Sequence, residues 1–135
     1  MGNATFDELR REYLAKRQRN ETRTAELHTE KKNLEKCQDE IWKVFPNTIR
    51  GLDETQGELW DKNATEDMRE LGMLTERTHN NFTKAKHTLE EELDNIERQQ
   101  KALADEREQL ETAYRKSVAQ LEKEAKEENK GGRTP

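Results

Sequence analysis

The chain has 135 residues, of which 29% are hydrophobic and 41% are charged, with a formal net charge of −5. This apolar content is too small for a thick globular core, but it suits a seam, the thin apolar interface between packed helices. Basic and acidic residues are interleaved and no run of about 20 apolar residues occurs, so we expect neither nucleic-acid binding nor a membrane span.

Apolar residues recur at seven-residue intervals in both halves of the chain. The two columns are Phe6, Tyr13, Leu27, Leu34 and Ile41 in the first half, and Phe82, Leu89, Ile96, Leu103 and Leu110 in the second. Such a repeat in a charged background is typical of helices packed along a seam, and it favours order over intrinsic disorder. Asn20 occupies a place in the first column, where a polar residue can set the register at a cost in stability.

The first helix is predicted over about residues 5–45. Thr5 can cap its start, with Glu8 three residues on completing a capping box. Pro46 is expected to end it, because proline disfavours helical geometry in the residue before it. A connector over 46–65 is predicted to follow, either as a packed loop or with a short helix of its own.

The second helix is predicted over about residues 66–128, with Asn63 and Glu66 as its capping box. The glycine-containing tail at 129–135 is predicted to be disordered. The sequence thus predicts a single all-α domain over residues 1–128. Its expected architecture is an elongated antiparallel helical hairpin, coiled-coil-like, with the second helix longer than the first.

A turn at 46–65 sets the expected register of the hairpin. It predicts that Tyr13 meets Ile96 and that Leu27 meets Phe82 or Ala85. It also leaves the end of the second helix without a partner in the chain. That end still carries an apolar stripe, which predicts burial against another protein. The stripe residues are Leu110, Tyr114, Val118 and Leu121. The alternative is a different offset between the helices, which buries the stripe within the chain.

The two tryptophans, Trp42 and Trp60, lie on either side of the predicted start of the connector. Either they form an apolar plug that locks the turn, or they are exposed anchors for a partner, since tryptophan is enriched at interface hot spots. Together with the stripe they are the candidate partner-binding residues.

No pattern of catalytic or metal-binding residues is present. The three histidines lack the spacing of a helical zinc site. Cys37 stands alone, which excludes an intrachain disulfide, and its spacing from Leu34 predicts a small residue in the seam. We therefore expect a non-enzymatic protein without a cofactor or metal.

The segments from Glu26 to Phe45 and from Leu74 to Ser117 resemble small helical-hairpin proteins encoded beside LXG toxins in Gram-positive bacteria. The resemblance implies a targeting factor that packs on the helical LXG domain of a toxin and aids its export by type VII secretion. Two features depart from the related secreted hairpins. Those hairpins have a Trp-x-Gly motif in the turn, whereas here Trp60 is followed by Asp61 and Lys62. They also carry an acidic residue four positions after an aromatic one, whereas here Tyr114 is followed at that distance by Val118.

The resemblance and the stripe together favour a helical binding module, a targeting factor or chaperone for such a toxin. The alternative is a structural coiled-coil scaffold or export-apparatus stalk that self-associates, for example as a homodimer. Because the N-terminus lacks the apolar stretch of a signal peptide, we expect a cytoplasmic location. The resemblance implies a bacterial host and the option of export together with the cargo.

Overall fold

The computed structural model describes the backbone of residues 2–132 and the side chains of residues 5–129. It contains two helices, α1 (Gly2–Asp61, 60 residues) and α2 (Thr65–Gly132, 68 residues), and no strand within the described residues. The helices form a hairpin, so the prediction of an all-α hairpin with a longer second helix is confirmed.

Helix α1 continues through Pro46, so the predicted end at Phe45 and the predicted connector over 46–65 are wrong. Proline inside a helix removes one hydrogen bond and costs about 3 kcal/mol. Ile49, Leu52 and Leu59 beyond it are all half-buried. Full burial of one such side chain contributes roughly 1.5–3 kcal/mol, so partial burial of three offsets the local penalty.

The outer ends of the helices also lie beyond the predicted bounds. Helix α1 begins at Gly2, so Thr5 lies inside the helix and not at its cap. Helix α2 begins at Thr65 and includes residues 129–132, which were predicted to be disordered. The rest of the predicted tail, residues 133–135, lies outside the described residues.

The chain reverses in the three residues Lys62, Asn63 and Ala64. The amide of Ala64 donates to the carbonyl of Leu59 at 3.1 Å, and the amide of Asn63 donates to the carbonyl of Trp60 at 3.1 Å. This pair of bonds is a Schellman motif, which satisfies carbonyls at a helix C-terminus. Asn63 takes the left-handed conformation the motif requires, with φ of 52°, and asparagine tolerates it better than most residues.

Asn63 therefore ends α1 and does not cap α2, contrary to the predicted capping box. The carbonyl of Ala64 accepts the first bond of α2, from the amide of Met68 at 2.9 Å. Glu66 and Asp67 place negative charge in the first turn of α2, where it interacts favourably with the helix dipole.

The hairpin divides into two compact units. Unit 1 combines α1 up to His28 with α2 from Glu97 onward, and unit 2 is the continuous segment Thr29–Ile96, which contains the turn. In unit 1, Tyr13 stacks on Tyr114 and not on Ile96 as predicted. In unit 2, Phe82 contacts Phe45 and not Leu27. The predicted register is wrong in both units, because the chain reverses at 62–64.

The residues predicted to form the seam are nevertheless the ones that become covered. No member of the two seven-residue columns is exposed, and Leu27 (0% exposed), Ile96 (6%) and Asn20 (3%) are buried. Cys37, in contrast, is exposed, so its predicted place in the seam is wrong. The periodicity was sufficient to identify the seam because it depends only on each helix and not on how the two are aligned.

Candidate binding surface

The predicted stripe at the end of α2 has a partner within the chain. Tyr114 stacks on Tyr13 with ring centroids 4.3 Å apart and an angle of 8° between the rings. Leu9 and Leu110 line a shallow groove beside this stack. Val118 and Leu121 are half-buried, as are Leu110 and Tyr114. The stripe therefore packs in part within the chain, through Leu110 and Tyr114, as the alternative offset of the helices predicts. Binding of its remaining surface to another protein stays a prediction.

Polar contacts hold the two helices of unit 1 in register. The side-chain amide of Asn20 donates to the backbone carbonyl of Leu103 at 2.8 Å. The carboxylate of Glu21 accepts a hydrogen bond from Arg17 at 3.0 Å and lies 3.5 Å from the guanidinium of Arg107. The bond from Arg17 to Glu21 raises the pKa of the Arg17 guanidinium above its usual value. Asn20 thus belongs to the seam, whereas Arg17, Glu21 and Arg107 pair with one another at its solvent-exposed edge.

The other candidate residues lie in unit 2, where Trp42 stands at the edge of an apolar groove of about 230 Å³. The residues lining the groove are Gln38, Ile41, Trp42, Phe45, His79, Phe82, Thr83, Lys86 and Leu89. Trp42 is 46% exposed, and the ammonium of Lys86 lies 4.5 Å from the centre of its ring. A cation over an indole face is attracted by the ring quadrupole, so this contact stabilises Trp42 beside Lys86.

Phe45 and Phe82 form an aromatic cluster within the groove. Their ring centroids are 4.3 Å apart with the rings tilted by 45°, and the ring of His79 lies 5.5 Å from that of Phe45. Tilted aromatic pairs at this separation are favourable beyond the area that they bury. The groove therefore has a fixed aromatic lining while Trp42 at its edge remains open to solvent.

Trp60 is the most exposed of the large hydrophobic side chains, at 70%. It lies in the last turn of α1, directly before the reversal of the chain. Met73 (62% exposed) and Leu74 (49% exposed) follow in the first part of α2. These exposures exclude an apolar plug built from the tryptophans and agree with the alternative of exposed anchors. Met73 and Leu74 were not singled out from the sequence, since both lie outside the seven-residue column.

Trp42 and Trp60 share one face of α1. They are eighteen residues apart, which is five turns at 3.6 residues per turn and about 27 Å at 1.5 Å per residue. Ile49 lies between them at a seven-residue step from Trp42 and is half-buried. We call the face defined by Trp42, Ile49 and Trp60, together with the apolar groove, the tryptophan face.

In the described part of the chain, no three or more His, Cys, Asp or Glu side chains converge into a group that could hold a metal ion. No helix within the same range is apolar enough over a sufficient length to cross a membrane. His87 is paired with Glu91 on the next turn at 2.9 Å, on the surface of α2.

Comparison with protein families, curated proteins and solved structures finds no significant match to this chain. The candidate surface therefore stands on the geometry of unit 2. Sequence reasoning found its two tryptophans, but it missed the pairing of Trp42 with Lys86 and of Phe45 with Phe82. Those pairings depend on the register, which the wrong turn position had shifted.

Proposed function

We propose that the protein is a non-enzymatic helical binding module that holds a helix of another protein against the tryptophan face. One observation carries the proposal: both tryptophans of the chain are exposed on one face of one helix, beside an apolar groove. A docked helix is the partner shape that can contact both tryptophans, because they are separated by five turns along one face of α1.

Burial of these side chains supplies a sufficient driving force. A tryptophan buries 150–250 Å² when fully covered, and apolar burial contributes about 25 cal/mol per Å². Trp42 and Trp60 still expose about half and about two-thirds of their surface. Phe45 and Phe82 are already packed against each other, so the groove requires little ordering when a partner binds.

We further propose that the partner is the helical domain of an LXG-type toxin, and that the chain is a targeting factor or chaperone for its type VII secretion. The resemblance of the segments from Glu26 to Phe45 and from Leu74 to Ser117 to LXG-associated hairpins supports this proposal. In this role the chain acts in the bacterial cytoplasm and leaves it only with its cargo.

Co-expression with the helical N-terminal domain of an LXG toxin tests the proposal. We expect a stable complex on size-exclusion chromatography with light scattering. The double variant Trp42→Ala and Trp60→Ala should lose it while retaining the circular dichroism of the wild type. Leu14→Ala is the matched control, since Leu14 is 47% exposed but lies in unit 1. Absence of a complex, or binding that survives loss of both tryptophans, would refute the proposal.

Size-exclusion chromatography with light scattering also distinguishes the binding module from the alternative, a self-associating scaffold. A homodimer that forms without the toxin domain and dissociates in the double tryptophan variant would assign the tryptophan face to a second copy of the chain. A monomer in the absence of the toxin domain supports the binding module.

A further inference from the structure

The surface around Trp60 is strongly acidic. Residues 53–76, which surround the turn in unit 2, contain eight acidic and two basic residues. The acidic residues are Asp53, Glu54, Glu58, Asp61, Glu66, Asp67, Glu70 and Glu76. All eight are exposed, as are the two basic residues, Lys62 and Arg69. The exposed apolar side chains Trp60, Met73 and Leu74 therefore stand within a field of carboxylates.

This charge is local to one end of unit 2. The groove at the other end of the tryptophan face has Lys86 as its charged lining residue, and the ammonium of Lys86 is already placed over the ring of Trp42. Unit 1 is close to neutral, with fifteen basic and fourteen acidic residues. The acidic end is thus local to the turn of unit 2, and it reaches the tryptophan face at Asp53, which is seven residues from Trp60 and lines a groove with Ile49 and Arg50.

We propose that the occupant of the tryptophan face is a basic amphipathic helix, with its lysines and arginines concentrated at the end that covers Trp60. This proposal rests on the proposed function and specifies the chemistry of the partner. Opposite charges across an interface steer association and suppress wrong partners, because like charges placed face to face are costly. Eight carboxylates with two cations among them leave an excess of negative charge for the partner to neutralise.

The same charges argue against a second copy of the chain as the occupant. A second copy contributes the same acidic end, and unit 2 as a whole contains sixteen acidic and ten basic residues. Charges that meet within the Debye length of about 8 Å at physiological salt are not fully screened. Two acidic ends that meet therefore repel each other, which disfavours a second copy docked in the same direction, whereas a basic helix is attracted.

The geometry also sets the length and pattern of the partner. A helix that reaches from Trp42 to Trp60 needs at least about eighteen residues, or 27 Å. Its apolar side chains must recur at three- and four-residue steps to meet the groove, Ile49 and Trp60. Basic residues flank this stripe at the Trp60 end. They are not required beside Trp42, where Lys86 already supplies a positive charge.

Three synthetic peptides of about 25 residues test the proposal. They share one apolar stripe without tryptophan and differ only in the flanking residues at one end, which are lysine and arginine, glutamine, or glutamate. Both tryptophans of the chain lie on the proposed surface, so their fluorescence should shift to shorter wavelength on binding. We expect the basic peptide to bind at least tenfold more tightly than the glutamine peptide in 0.15 M salt. The glutamate peptide should bind most weakly, and the differences should largely disappear in 1 M salt.

Variants of the full chain show which carboxylates cause the tighter binding of the basic peptide. The triple variant Asp53→Asn, Glu54→Gln and Glu76→Gln should lower the affinity for the basic peptide to nearly that for the glutamine peptide, since Asp53 and Glu54 line a groove with Ile49 of the tryptophan face. The matched control, Glu106→Gln, Glu108→Gln and Glu122→Gln, removes three exposed carboxylates from unit 1 and should change neither affinity. Trp60→Ala should weaken all three peptides by a similar factor.

The outcomes separate this proposal from the proposed function. Equal binding of the three peptides, lost in Trp60→Ala, would overturn the basic partner and leave the helical binding module standing. Absence of any tryptophan-dependent binding would overturn both. A dimer of the chain alone in sedimentation equilibrium, lost in Trp60→Ala, would overturn the basic partner in favour of a second copy.

Discussion

The side-chain amide of Asn20 donates a hydrogen bond to the backbone carbonyl of Leu103 at 2.8 Å, and Asn20 itself is only 3% exposed. A buried asparagine in an apolar column would lose its hydrogen bond if either helix shifted by one heptad, and an unsatisfied buried amide costs about 1–3 kcal/mol. This contact therefore favours a single alignment of α1 with α2 in unit 1.

Replacement of Asn20 by leucine should raise stability and weaken the alignment. The new side chain gains about 1.5–3 kcal/mol of apolar burial and loses one hydrogen bond worth about 0.5–1.5 kcal/mol. We expect a net increase in the free energy of unfolding of about 1 kcal/mol in urea titration. Asn33→Leu, the same change at an exposed position, should have little effect.

The alignment can be measured with nitroxide labels at Arg11 and Lys116 in a Cys37→Ser background. The wild-type chain should give one narrow distance distribution. Asn20→Leu should add a population displaced by one heptad, about 10 Å along the axis. A single unchanged distribution in Asn20→Leu would show that the apolar contacts alone determine the register.

The stack of Tyr13 on Tyr114 should appear as an energetic coupling. Aromatic pairs of this geometry contribute about 0.5–1.5 kcal/mol beyond the area that they bury. A double-mutant cycle with Tyr13→Ala and Tyr114→Ala should give a coupling energy in that range. The pair Tyr13→Ala and Ile96→Ala, which the sequence had predicted to be in contact, should be additive within about 0.5 kcal/mol. The reverse result would restore the register predicted from the sequence.

Replacement of Pro46 by alanine should stabilise the protein. It restores a backbone amide that can donate to the carbonyl of Trp42, and a proline inside a helix costs about 3 kcal/mol relative to alanine. We expect the free energy of unfolding to rise by about 1–3 kcal/mol. Asn47→Ala, at the exposed neighbouring position, should change it by less than about 1 kcal/mol. A loss of stability in Pro46→Ala would show that contacts of the proline ring outweigh the missing hydrogen bond.

The turn should respond to substitution of Asn63 according to its left-handed backbone. Glycine adopts a φ near 52° without strain, so Asn63→Gly should preserve or slightly raise stability. A β-branched side chain is strained there, so Asn63→Val should lower the free energy of unfolding by about 1–2 kcal/mol. Lys62→Val, one residue earlier, is the control and should cost less than Asn63→Val. Equal losses at both positions would argue against the Schellman motif.

Much of the fold could be predicted from the sequence, because each helix carries its own pattern. The seven-residue columns identified the residues that become covered, including the buried polar Asn20. Two of the six candidate binding residues, Trp42 and Trp60, also proved to be exposed. These properties depend on composition and on the spacing along one helix, which tertiary packing does not alter.

The tertiary structure decided where the chain reverses. A local rule predicted the end of α1 at Pro46, but burial of Ile49, Leu52 and Leu59 carries the helix on to Asp61. That difference displaces every contact between the helices, pairs Tyr114 with Tyr13 and leaves the tryptophan face open. The position of the turn follows from the balance between one lost backbone hydrogen bond and several buried side chains. That balance is settled only when both helices are present, because neither can bury its apolar side chains alone.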